Sequence, residues 1–146
     1  MSKIGIIVAM QEELEEVLKI MSDIEEKEIY GISFVDGKIE KEKVVVVKSG
    51  VGKVNAARTT QILIDKLDVT KVINVGSAGA LNPSLNIGDI VIANKLIQHD
   101  FDITAFNHKK GYITGVGDYI YCDENLINKL KKAANKLGNK AYNIKT

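Results

Sequence analysis

Several features are scarce in this chain, and each scarcity argues against a class of protein. Only one of the 146 residues is cysteine, Cys122, so no internal disulfide can form and a reducing cytoplasm is expected. No apolar run approaches the roughly 18 residues of a membrane-spanning helix, and Lys3–Ala9 is too short for a signal peptide. The net charge of +1 provides no broad basic surface. We therefore expect neither a nucleic-acid nor a membrane partner.

Histidine is also scarce, which bears on metal binding. His99 precedes Asp100 and Asp102, and a His-Asp pair can ligate a metal ion. A metal site needs three or four such ligands, however, and the only other histidine, His108, lies in a lysine-rich context. We predict no metal and no cofactor, and we expect local bonds from side chains to the backbone in this loop.

Apolar segments in the chain alternate with amphipathic ones. The predicted strands are Lys3–Ala9, Glu28–Val35, Lys43–Lys48, Lys71–Val75 and Asp89–Ala93, with a hairpin turn at Asp36-Gly37. Helices are predicted over Gln11–Met21, over Val54–Leu67 and from an Asp123 cap to Leu137, and Gln98–Tyr121 is predicted to be a long loop. This alternation predicts an α/β domain with a largely parallel or mixed sheet.

The chain carries no internal repeat or interdomain linker, so residues 1–146 are expected to belong to one domain. Its last helix is expected to stop at Gly138, and the segment "NKAYNIKT" opens a further strand with Tyr142 and Ile144 on one face. A strand that opens at a terminus is tolerated at a sheet edge, and it is also what a domain truncated at its C-terminus shows.

Three turns follow predicted strands at their carboxyl ends, where open α/β sheets bind ligands. They are "AMQEE", "SGVGK" and "GSAGAL", and together they predict one pocket rim. "SGVGKV" is not a nucleotide-triphosphate loop, because Val47 and Val54 stand where that motif needs glycine and Ser or Thr. The glycines around Ser77 allow close backbone contact with a flat ligand, or form a plain turn. Glu12 and Glu13 are either a solvated helix start or contributors to the site.

Five stretches in this order resemble the bacterial 5′-methylthioadenosine/S-adenosylhomocysteine nucleosidases, within the nucleoside phosphorylase and nucleosidase superfamily. They are "KIGIIVAMQEEL", "KSGVGKVNAA", "NVGSAGAL", "LNIGDIVIA" and "HDFDITAF". The resemblance implies a three-layer, mixed and mostly parallel sheet flanked by helices. It also implies hydrolysis of the N-glycosidic bond of methylthioadenosine and adenosylhomocysteine, and of 5′-deoxyadenosine, which releases adenine in methionine salvage.

The resemblance also assigns roles to single residues. Glu13 matches the glutamate that holds and activates water. The turn that lines the ribose and purine in the family is matched by Ser77, Ala78 and Gly79. The apolar residues near the 5′-alkylthio group are matched by Ala9, Met10 and Val51. In the homodimer of the family, Ile103 and Phe106 match residues that reach the pocket of the partner subunit, and Thr114 stands where the family has a proline.

Two alternatives remain open. One is a phosphorylase of the same fold, although "AMQEE" replaces the arginine-containing phosphate site of those enzymes and Arg58 is the only arginine in the chain. The other is a non-catalytic ligand-binding fragment, because the family's purine-protonating aspartate and ribose-binding Met-Glu pair lie beyond Thr146. We therefore expect the 146-residue chain alone to be inactive or nearly so in an adenine-release assay.

Overall fold

The structure is a computed structural model that describes residues 2–137 and 144–145. The chain divides into two compact units, Met1–Gly79 and Ala80–Thr146. No helix in the described part of the chain is long and apolar enough to cross a lipid bilayer.

The first unit is a five-stranded mixed sheet with one helix packed on each face. Its elements are β1 (Lys3–Val8), α1 (Gln11–Leu18), β2 (Ser22–Ile29), β3 (Ile32–Ile39), β4 (Glu42–Lys48), α2 (Lys53–Leu67) and β5 (Lys71–Asn74). The strand order is β2-β3-β4-β1-β5. β1 pairs in parallel with β4 and β5, whereas β3 pairs antiparallel with β2 and β4. The predicted mixed α/β sheet flanked by helices is confirmed.

The central strand β4 explains the three layers of this unit. Its four consecutive valines are all buried, and they alternate between the two faces of the sheet. Val45 and Val47 belong to the core cluster that contains Leu63 of α2. Val44 and Val46 belong to the second cluster, against which the apolar side chains of α1 pack.

Helix α1 ends at Leu18, three residues before the predicted end, yet Met21 still packs against that second cluster.

The predicted strand over Glu28–Val35 and the predicted turn at Asp36-Gly37 are wrong. The chain turns instead at Tyr30-Gly31, where both residues have positive φ, 54° and 73°. Two-residue hairpin turns of the type that matches strand twist require this backbone conformation. Asp36 and Gly37 lie inside β3, and Asp36 forms an ion pair with Lys3.

Gly37 is required for close packing and not for a turn. A Cβ atom at this position would lie 2.8 Å from the Ser22 carbonyl oxygen and 2.9 Å from Met21 Cε. The backbone at the start of β2 therefore approaches β3 in a space that only glycine leaves open. This tertiary contact outweighs the turn preference of the Asp-Gly dipeptide.

The second unit has a small core beneath its one long helix. Its elements are β6 (Ile90–Val91), β7 (Lys95–Leu96), a 3₁₀ helix (Thr104–Phe106), β8 (Ile120–Tyr121), α3 (Glu124–Leu137) and β9 (Ile144–Lys145). Ile127 and Ala134 of α3 pack with Ile92 in that core. The predicted cap is confirmed, because Asp123 Oδ1 accepts a bond from the Leu126 N–H at 2.8 Å.

Two sequence predictions in this unit need adjustment. The predicted strand Asp89–Ala93 is reduced to the two residues of β6, and the predicted loop Gln98–Tyr121 includes the 3₁₀ helix and β8. β6 pairs in parallel with β9, and β7 pairs antiparallel with β8. Gly138 and Tyr142, which the sequence predicts to end α3 and to begin a strand, lie outside the described residues.

The packing of Gly37 leads to a stability prediction. Gly37→Ala should lower the free energy of unfolding by about 1–3 kcal/mol, because the added methyl group overlaps a backbone oxygen that cannot move independently. Gly79→Ala is the control, since a Cβ there would meet nothing within 4 Å. Urea unfolding of the two variants measures the difference. Equal unfolding free energies would contradict this account of Gly37.

Candidate active site

Three turns meet at one edge of the five-stranded sheet. Because β1 is parallel to both β4 and β5, the carboxyl ends of the three strands lie at the same edge. Ladder bonds continue past the strand ends, from the Ser49 N–H to the Val8 carbonyl at 2.8 Å and from the Val75 N–H to the Ile7 carbonyl at 3.0 Å. The segments that follow the strands are the predicted rim segments, and the structure brings them together.

The Glu13 carboxylate joins two of these turns. Its Oε2 accepts bonds from the Ala9 N–H at 2.9 Å and the Met10 N–H at 3.0 Å, both at the end of β1. Its Oε1 accepts a bond from the Ser77 N–H at 3.1 Å, beyond the end of β5. The carboxylate therefore bridges the turn that follows β1 and the segment that follows the neighbouring edge strand β5.

Gly76 makes this bridge possible, although it is not among the site residues predicted from the sequence. A Cβ atom at Gly76 would lie 2.9 Å from Glu13 Oε1, so any larger residue would displace the carboxylate. The sequence signal was present in the small-residue run "GSAGAL". It did not indicate which of the glycines was sterically required.

The three backbone donors stabilise the charged form of Glu13. The N–H groups of Ser77, Met10 and Ala9, in that order of effect, lower the pKa of the carboxyl group below its usual value of 4.5. Glu13 is therefore an ionised acceptor at neutral pH. A carboxylate has about four lone-pair positions, and backbone N–H groups occupy three of them. The Ser77 hydroxyl also lowers the pKa of the Glu13 carboxyl group through a side-chain hydrogen bond, so a water molecule or a ligand hydroxyl would share the fourth position with it.

Glu12 has a different environment. Its side chain is exposed in the first turn of α1, whereas Glu13 is half-buried and accepts a bond from the backbone of the segment that follows β5. An acidic side chain in the first turn of a helix is favoured by the helix dipole. The structure thus separates the two neighbouring glutamates, one facing solvent and one held at the sheet edge.

The turn between β4 and α2 is built on two glycines in the left-handed region. Gly50 has φ 81° and Gly52 has φ 106°, and Asn55 Nδ2 donates to the Val51 carbonyl at 2.8 Å. The side chain of Val51 is 74% exposed at the same edge as Met10, which is 39% exposed. Ser77, Ala78 and Gly79 are exposed as well, and Ala9 is half-buried. An apolar surface and an open backbone therefore lie on either side of the carboxylate.

Comparison with known proteins decides the family. The profile of the phosphorylase superfamily matches residues 3–146. The chain belongs to the phosphorylase superfamily. It is 40% identical to a 5′-methylthioadenosine/S-adenosylhomocysteine nucleosidase of Marinomonas sp. over 94% of this chain and 59% of the relative. A Staphylococcus haemolyticus nucleosidase of the same name is also 40% identical, over 97% of this chain and 61% of the relative.

Solved structures agree with this membership of the phosphorylase superfamily. A nucleosidase of the same name from Colwellia psychrerythraea, in complex with adenine, superposes with a TM-score of 0.95 at 36% identity, over 99% of this chain and 60% of that one. A Neisseria meningitidis nucleosidase in complex with methylthio-immucillin-A superposes with a TM-score of 0.93 at 32% identity, over 99% and 63%. The chain spans about 60% of the length of the relatives that it matches.

The remaining predicted site residues of this superfamily member lie in the second unit. Ile103 precedes the 3₁₀ helix that contains Phe106, and the Phe106 side chain is 76% exposed. Thr114 is exposed in the turn closed by the bridge between Ile113 and Gly117. Their assignment to a partner subunit stays a prediction.

The acidic loop before this 3₁₀ helix binds its own backbone, as predicted. Asp102 Oδ1 accepts a bond from the Thr104 N–H at 3.0 Å, and this bond lowers the pKa of the Asp102 carboxyl group. Among residues 2–137, no three His, Cys, Asp or Glu side chains converge in a way that could hold a metal ion.

The backbone donors around Glu13 predict a pH-dependent contribution to stability. A lowered pKa in the folded state stabilises the fold above the pKa of the unfolded chain, and this stabilisation is lost as the pH falls through the folded-state pKa. Glu13→Gln should therefore destabilise the chain more at about pH 7 than at about pH 3. Urea unfolding across that range measures the difference. Glu12→Gln is the matched control, and the same pH dependence in both variants would contradict the assignment to Glu13.

Proposed function

We propose that the protein that carries this sequence hydrolyses the N-glycosidic bond of 5′-methylthioadenosine and S-adenosylhomocysteine, and also that of 5′-deoxyadenosine, to release adenine in methionine salvage. The observation that carries the proposal is the ionised Glu13 carboxylate, held by three backbone N–H groups at the carboxyl edge of the sheet. The names of the matched relatives and the adenine bound to the Colwellia protein support this substrate class.

Glu13 is suited to orienting a water molecule. As the bond between C1′ of the ribose and N9 of adenine breaks, its electron pair leaves with the purine and positive charge develops on the sugar. A water molecule bonded to the fourth position of the carboxylate, beside the Ser77 hydroxyl, would be aimed at C1′. Because the backbone donors lower the basicity of Glu13, proton transfer to it becomes favourable only when the water oxygen is bonding to the sugar carbon and has become acidic.

The leaving adenine needs a separate proton donor. Protonating the purine ring offsets the negative charge that it acquires, and Glu13 cannot do so while it is ionised. The proposed mechanism therefore divides the chemistry between two groups, with water activation assigned to Glu13. No cofactor is required for either step.

We assign the substrate contacts to the turns that flank Glu13. Ser77, Ala78 and Gly79 would border the ribose and purine, where small residues leave the backbone accessible. Ala9, Met10 and Val51 would border the 5′-alkylthio group, which suits their apolar surface. Ile103, Phe106 and Thr114 would complete the pocket of a partner subunit in a homodimer. A single cysteine is consistent with action in the cytoplasm.

Replacing Glu13 tests the catalytic assignment. Glu13→Gln in the protein that carries this sequence should lower kcat for adenine release from methylthioadenosine by about 10²–10⁴-fold, because an amide cannot take the proton of the attacking water. The exposed Glu12→Gln is the matched control and should retain kcat within about threefold. Activity of Glu13→Gln near that of the unsubstituted protein would show that the assignment is wrong.

The position of Arg58 disfavours phosphorolysis. It is the only arginine in the sequence, and its Nη2 donates to the Tyr30 carbonyl at 2.8 Å, in the turn between β2 and β3. Arginine is the side chain best suited to bidentate binding of phosphate, and here it is bonded to the hairpin.

Phosphate therefore provides a second test. Adenine release should proceed at the same rate with and without inorganic phosphate and should yield the free sugar. Detection of a sugar 1-phosphate, or a requirement for phosphate, would favour a phosphorylase. These products are separable by chromatography of the reaction mixture.

A further inference from the structure

A groove on the α1 side of the sheet opens beside the residues assigned to the 5′ end of the substrate. It encloses about 530 Å³. Gln11 and Gly50 line it, and they are the chain neighbours of Met10 and Val51 respectively. The groove therefore lies next to the segments that would contact a 5′-alkylthio group. An extended 5′ substituent would have a place to continue into.

The groove combines an apolar floor with two opposite charges. Leu14 and Leu18 of α1, together with Ile24, Ile32 and Val35 of the hairpin, form the apolar part. Lys48 and Glu26 are its only charged lining residues. Both side chains are exposed. The lining thus has one cation and one anion above a hydrophobic surface.

Lys48 carries a charge that no carboxylate in the described part of the chain neutralises. Its Nζ donates to the neutral Gln11 Oε1 at 2.8 Å. An ammonium group has three donors, and this bond uses one of them. The other two can bind an anionic ligand group.

Glu26 stands on the opposite side of the groove. Glu26 pairs with Val35 of β3, and Val35 pairs with Val46 of β4, two residues before Lys48, so the backbones of Glu26 and Lys48 are about 12 Å apart. Ser33 of β3 lies between them and donates its hydroxyl hydrogen to Glu26 Oε1. The two long side chains can converge on a small group that carries both charges.

We propose that this groove binds the amino-acid end of S-adenosylhomocysteine, with Lys48 at its α-carboxylate and Glu26 at its α-ammonium group. The proposal rests on the proposed function and deepens it. The methylene groups of the tail would lie on the apolar floor, and the zwitterionic end matches the pair of charges. Methylthioadenosine has no such end, so the groove would separate the two substrates by affinity.

Kinetics of the protein that carries this sequence test the proposal with three substrates: adenosylhomocysteine, methylthioadenosine and 5′-butylthioadenosine, whose tail is apolar and uncharged. Lys48→Gln should lower the ratio of kcat/KM for adenosylhomocysteine to that for methylthioadenosine by about tenfold, the effect of losing one charge-assisted hydrogen bond. The loss should appear in KM. Lys48→Arg should restore most of the ratio, and Glu26→Gln should lower it in the same direction.

Controls separate this effect from general damage. Lys41→Gln, which removes an exposed lysine in the turn before β4, should leave the ratio unchanged. The ratio for butylthioadenosine against methylthioadenosine should not respond to Lys48→Gln. An equal loss for all three substrates would overturn the groove assignment while leaving the proposed function standing. If the unsubstituted protein turned over none of the three substrates, the proposed function would be overturned, and the groove assignment with it.

Discussion

The site depends on one carboxylate that is bonded to the backbone of the segments that follow two neighbouring strands. Parallel pairing of β1 with β5 brings the Ala9-Met10 turn and the Ser77 amide within reach of a single side chain. Three N–H groups that would otherwise need water as an acceptor are satisfied by Glu13. The same bonds fix the carboxylate before any ligand arrives. Structural and proposed catalytic roles therefore reside in the same set of hydrogen bonds, and a change in one affects the other.

The hydrogen bonds that fix the position of Glu13 also lower its basicity. The donors that hold Glu13 also stabilise its charge, so the group is a weaker base than an unconstrained glutamate. For the proposed reaction, which passes through a cationic sugar, the loss is small, since the attacking water becomes acidic as it bonds to carbon. A fixed negative charge near the developing cation is useful from the start of bond breaking. For the proposed chemistry, the fixed position of the Glu13 carboxylate thus matters more than its basicity.

The sequence predicted the buried elements well and the exposed hairpin poorly. Consecutive apolar residues identify β1 and β4 because both faces of these strands are covered by helices. β2 is an edge strand with almost entirely exposed residues, so its polar sequence has no period that separates it from a loop. The turn preference of Asp36-Gly37 is local, whereas the close approach of the Ser22 carbonyl to Gly37 is tertiary. Composition likewise could not separate Glu12 from Glu13, since both favour a first helical turn.

The phase of α1 accounts for both the site and the groove. Leu14, Val17 and Leu18 pack against the sheet and thereby fix the rotation of the helix. With about 3.6 residues per turn, this rotation directs Glu13 toward the Ser77 amide and places Gln11 beside Lys48. Neither polar contact could move without also moving Leu14, Val17 and Leu18 out of their packing against the sheet. A short helix of eight residues therefore couples the core to two different polar contacts, and hydrophobic packing sets the geometry on which the proposed chemistry relies.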